Sequence, residues 1–190
     1  AAVRREWARK SQQDYRQTIV DAEFIASRPG VLNATKALLT TQRSAAALAA
    51  SEGQRDARAF FAPLLKYDIY QDFFITDKDG FNLAASHDGS VGGSVPIAHQ
   101  RRTLTQAWTG RTLLTLPQAS HSPWEDSDAQ PIDKKPTVFV VAPIRAASGK
   151  PLALLTLRLN PAVTLHKTLQ AGMTGNSGES FSTAASIACG

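Results

Sequence analysis

Cysteine is almost absent. Cys189 is the only one in 190 residues, which excludes an internal disulfide and a thiolate metal cluster and leaves the redox compartment open. Long apolar runs are missing too. No stretch approaches the ~20 consecutive apolar residues of a membrane-spanning helix, and the opening residues AAVRREWARKSQQ lack the apolar centre of a signal peptide. The chain is therefore either soluble in its own right or a piece of a longer protein. The spacings of common catalytic motifs are also lacking. His87, His99, His121 and His166 are too scattered for an H-E-x-x-H metal site, and GSVGGS has no lysine to hold a phosphate. GNSGES looks like the nucleophile loop of a serine protease, but such an enzyme needs a histidine and an aspartate on an all-β double barrel, and the helical front of this chain contradicts that. No motif calls for a cofactor, and the chain reads as a non-enzyme.

What is present suffices for a core. Hydrophobic residues make up 43% and charged residues 19%, a globular balance that needs no disulfide or metal at this length. The formal charge of +5 raises nucleic acid as a partner. The basic residues, however, fall in scattered pairs, Arg4-Arg5, Arg9-Lys10, Arg101-Arg102 and Lys134-Lys135, with no aromatic interleaving, and read as solvated faces.

Periodicity divides the chain. Val3, Trp7, Tyr15, Ile19, Ala22 and Ala26 recur at helical spacing, with Ser11 in the one weak place, so residues 3–26 read as one long amphipathic helix. A second helix begins at or just after Pro29, which tolerates a first-turn position. The run SAAALAAS at 44–51 is a helix or a compact connection. A further helix over 54–65 offers Ala57, Phe60, Phe61, Leu64 and Leu65 to a core.

The pattern changes at Tyr67. FFIT and FNLAAS flank Asp77-Lys78-Asp79-Gly80. The glycine comes too early for a calcium loop, and Asp88 stands where the bidentate glutamate belongs, so the tetrad reads as the corner of a hairpin. A Gly/Ser-rich loop, a helical segment IAHQRRTLTQAW closed by Gly110, and a strand RTLLTL follow. The polar excursion PQASHSPWEDSDAQPIDKKP comes next, and loops of that length are usually functional or disordered. TVFVVAPI and PLALLTLRL form two last strands, with Gly149 in their turn. The fold class is α+β: a long N-terminal helix packed on a five-stranded antiparallel sheet, with a crossing helix. Both faces of the last two strands are apolar, so one packs the helix and the other lines something else.

In this order the segments resemble the Cache sensor domains, PAS-like extracytoplasmic modules of bacterial transmembrane receptors. The features that carry the resemblance are the long first helix, FFITDKDGFNLAAS with the Val91-Gly92 loop, the crossing helix ending at Gly110, and APIRAASGKPLALLTLRLNP. GMTGNSGESF is similar to the link from the membrane-distal module of a double-Cache domain into the second one. The resemblance implies a helical region over 1–66, a sensor module over 67–172, and a linker or tail over 173–190. It further implies signal transduction by a periplasmic ligand-binding domain of an inner-membrane receptor, with a kinase, cyclase or chemoreceptor output. A signal sequence would then lie outside this piece. FSTAASIACG does not resemble the start of a second module.

Amino-acid-binding members carry Arg-x-Trp-Tyr-x-x-Ala near the crossing helix. Arg101 and Ala107 match it, while Thr103 and Leu104 stand in place of the aromatics. Pro123-Trp124-Glu125-Asp126 is similar to the family's Pro-Tyr and acid in the long loop. The expected ligand is a small anionic or zwitterionic metabolite, an organic acid or amino acid. Phe74, Phe139 and Trp108 would form its apolar wall, Arg101, Arg111, His121 and Asp126 the polar groups, and Trp124 a cover. The loop would close over the ligand and shift the long helix. The alternative is a ligand-free module that dimerises through the N-terminal helix.

Overall fold

The computed structural model describes residues 2–67, 69–98, 100–115, 118–119 and 136–160. The final link, the tail over 173–190 and most of the polar excursion lie outside them.

Four helices come first. Helix α1 (Ala2–Ala26) buries Ala22, Ile25 and Ala26. From Gln12 to Val20 no side chain is fully buried, so over residues 12–26 full burial is confined to the last turns of α1. Tyr15, assigned to the apolar stripe, is 45% exposed. Helix α2 (Pro29–Thr40) starts with Pro29 in its first turn, where the missing N–H costs nothing. SAAALAAS resolves as the short helix α3 (Ala45–Ala50), and the Ser44 hydroxyl caps its start by accepting from the Ala47 amide. Helix α4 (Glu52–Lys66) follows at once, capped in the same way by Ser51, which accepts from the Gln54 amide. Gly53 lets α2 and α4 touch, since a Cβ there would lie 2.8 Å from Leu38 Cγ.

The sheet is antiparallel. Strands β1 (Tyr70–Thr76) and β2 (Asn82–Ala85) flank the tetrad corner. Asp77 Oδ1 accepts from the Asp79 and Phe81 amides, Gly80 takes φ 82°, and Arg43 pairs with Asp77 while lying over the Phe81 ring. The crossing helix α5 (Arg101–Trp108) begins four residues later than the pattern predicts, because Ile97 and Ala98 are spent in a tight turn. Strand β3 is Leu113–Leu114 alone. Beyond it Thr115 uses its hydroxyl to accept from the Phe139 amide. A short strand not foreseen in the sequence, β4 (Gln118–Ala119), pairs with the start of β5 (Pro136–Arg145). Strand β6 is Pro151–Leu159. The sheet order is β2-β1-β6-β5-β3, with β4 also on β5.

Directly opposed residues share a face. Phe73, Leu157 and Val140 lie in one row, and Phe73 stacks on Phe61 of α4 with ring centroids 4.3 Å apart. That face carries the helices. An irregularity between Tyr70 and Asp72 also turns Tyr70 to the helix side while Asp72 faces away. Burial, and next the carboxylate of Asp21, push the Tyr70 phenol up to about 12. An unfolded tyrosine ionises near its ordinary value of 10.0 and the folded one only near 12, so the native state keeps a proton that the unfolded state loses. Stability should therefore fall as pH rises through this window. Chemical denaturation at stepped alkaline pH should show a shallower fall in Tyr70→Phe, and an unchanged slope would contradict the assignment.

Candidate functional site

The face turned away from α1, α2 and α4 has a different character. Its rows run Asp72–Arg158–Phe139, then Ala85–Phe74–Thr156–Val141–Leu113, then Thr76–Leu154–Pro143. Alternation along β5 adds Thr137 to the same side. Polar groups thus sit on an otherwise apolar floor, all on residues that the strand pattern directs one way.

Arg158 Nη1 lies 3.3 Å from Asp72 Oδ2, and both side chains are nearly buried, at 13% and 11% exposure. Arg158 Nη2 donates to the Thr137 hydroxyl at 3.4 Å. From the rim, Nε2 of the exposed His87 lies 3.1 Å from Asp72 Oδ1. One and two rows along, the hydroxyls of Thr156 and Thr76 are fully buried and have no hydrogen-bond partner among the described residues. Buried polar atoms left so are uncommon and cost about 1–3 kcal/mol each unless something outside the chain satisfies them.

Helix α5 lies at one end of this floor. Leu104 and Ala107 are buried, and Trp108 is half-buried against the core. The helix is held at both ends. Leu104 fits against Gly80 of the hairpin corner. Beyond the other end, Gly110 takes φ 105° beneath the Arg145 guanidinium, which donates to the carbonyls of Gly110 and Gly149.

Of the residues expected at a site, the structure brings Phe74 and Phe139 together on the floor, 5% and 3% exposed. Trp108 stands at the end of α5. Arg101 and Arg111 are exposed at either end of that helix, and neither makes an ion pair among the described residues. His121, Trp124 and Asp126 lie outside the described residues. Asp72, Thr76, Thr137, Thr156 and Arg158 were not singled out from the sequence. The signal was present in PLALLTLRL, where Thr156 and Arg158 are its two polar residues, spaced two apart and hence on one face of a strand. Among the described residues no three acidic, histidine or cysteine side chains group as a metal site, and no helix is long and apolar enough to cross a membrane.

The sequence matches no protein-family model and no curated protein. Solved structures do match. The sensor domain of E. coli DcuS superposes with a TM-score of 0.50 at 14% identity, over 91% of this chain and 99% of that one. The sensor domain of the V. cholerae histidine kinase DctB superposes with a TM-score of 0.57 at 11% identity, over 88% of this chain. The α+β fold, with its antiparallel sheet, is shared with these two domains and is PAS-like, as the sequence led us to expect. The chain spans 58% of the DctB domain's length. The polar floor is the sheet face turned away from the N-terminal helices, and its central residues are buried, Thr76 and Thr156 completely.

The ion pair on that floor makes a stability prediction. Asp72→Ala leaves a nearly buried guanidinium without its carboxylate and should cost about 3 kcal/mol in urea unfolding. Asp72→Ala/Arg158→Met removes both charges and should recover most of the loss. Equal losses in the single and double variants would show that the pair is solvated.

Proposed function

We propose that this chain is the extracytoplasmic input domain of a membrane-bound signalling receptor and that it binds a small anionic or zwitterionic molecule on the polar floor. The observation that carries the reading is the pair of buried hydroxyls on Thr76 and Thr156, unpartnered among the described residues, beside the Asp72–Arg158 pair. A guest that hydrogen-bonds both threonines would remove their desolvation cost. Phe74 and Phe139 supply apolar surface on the same rows, the mixture that small-molecule sites use. Likeness to the sensor domains of DcuS and DctB supports an input role. The domain holds and reports rather than catalyses. A ligand switches it only through a difference in affinity between two arrangements of the sheet and helices.

A second reading has its own observation. Val20 and Phe24, one turn apart on α1, are 55% and 61% exposed. Two copies joined along that stripe would form a dimerisation module that needs no ligand.

A thermal-melt screen of organic acids, amino acids, amines and purines separates the two. At a hundredfold excess over its dissociation constant a true ligand stabilises by about 2.7 kcal/mol, and Thr156→Val should abolish that shift while leaving the fold intact. If nothing shifts the melt and Phe24→Glu converts a dimer to a monomer in sedimentation, the second reading holds.

A further inference from the structure

Charge is distributed unevenly along this chain. From Gly89 to Asn160 the described residues include Arg101, Arg102, Arg111, Arg145, Lys150 and Arg158, and no aspartate or glutamate. Arg158 is held on the floor by Asp72. The other five are all exposed, and among the described residues none forms an ion pair. Arg43 and Arg58, by contrast, pair with Asp77 and Asp88, while Arg16 and Lys36 are exposed cations on other helices.

The fold strings these five along α5 and the β5–β6 turn. Arg101 and Arg102 open α5, Arg111 follows its close, and an eight-residue helix is only about 12 Å long. Arg145 reaches from the end of β5 to the Gly110 carbonyl, and its contact with Gly149 places the turn that bears Lys150 beside it. Half-buried Trp108 lies between, on the stripe it shares with Arg101 and Thr105. Like charges this close repel one another and oppose the compact state, and solubility alone does not require them there. Tryptophan and arginine are the residues most enriched where proteins bind tightly, and a guanidinium fits a carboxylate with two parallel hydrogen bonds.

We propose that this strip of the domain, built from α5 and the β5–β6 turn, is a docking surface for an acidic protein segment, separate from the polar floor. Charge complementarity selects the partner. Four acids of this chain, Glu125, Asp126, Asp128 and Asp133, belong to a stretch outside the described residues, and the test must separate them from an external partner.

Fluorescence anisotropy of a labelled glutamate-rich peptide with the whole chain provides that test. Binding is expected at low ionic strength, fading as salt approaches ~0.3 M. It should weaken about tenfold in Arg101→Gln/Arg102→Gln/Arg111→Gln and stay unchanged in Arg16→Gln/Lys36→Gln. Thermal melts should be alike in all three proteins, since every substituted side chain is exposed. No binding by the wild type, equal loss in both variants, or a preference for polyphosphate over the peptide overturns the proposal. Binding that emerges only once those four acids are replaced by their amides overturns it as well, because the occupant is then part of the chain itself.

Discussion

Strand β6 has to satisfy two faces at once, and the rest of the fold follows from how it does so. It runs between β1 and β5, so from Leu154 to Leu159 it has a strand on each side and its side chains decide what each face can do. Leu155, Leu157 and Leu159 point to the helices, where burial of large apolar groups supplies most of the driving force. Leu154, Thr156 and Arg158 point the other way, and two of these three are polar. An apolar set there would cost less to bury. The helix side holds the domain together, and the opposite side carries groups that stability alone does not require.

Neighbouring strands respond to that division. The irregularity near Gln71 in β1 keeps Tyr70 with the helices and hands Asp72 to the floor, where it neutralises Arg158. On β5, Phe139 and Thr137 complete the row. Helix α1 rests on the opposite side, where, among its residues from Gln12 on, Ala22, Ile25 and Ala26 are the buried ones. Strand β5 forms part of the floor on one side and meets α1 on the other.

Much of this architecture was legible in the residues. Alternation and helical spacing located β6 over Pro151–Leu159 and the breaks at Pro29 and Gly110, and the Asp-Lys-Asp-Gly corner behaves as turn chemistry requires. Local signals failed where tertiary contacts decide. Ile97 and Ala98 carry a helical pattern yet turn, and β3 stops at Leu114, after which the Thr115 side chain takes the Phe139 amide. Site residues were harder to read. Arg101 and Arg111 drew notice as the kind of residue that grips a carboxylate, yet exposure is a tertiary property that spacing does not reveal. Thr156 and Arg158 were visible as polar breaks in an apolar strand, but their meaning depends on knowing which side the helices occupy.

The central claim is that the sheet face opposite the helices keeps polar groups for a guest. A crystal structure fine enough to show ordered solvent tests it most directly. The account predicts a small molecule or bridging waters within hydrogen-bond distance of both Thr76 and Thr156 Oγ1. Finding that side filled by the chain's own apolar side chains, with both hydroxyls donating to protein carbonyls, would contradict it.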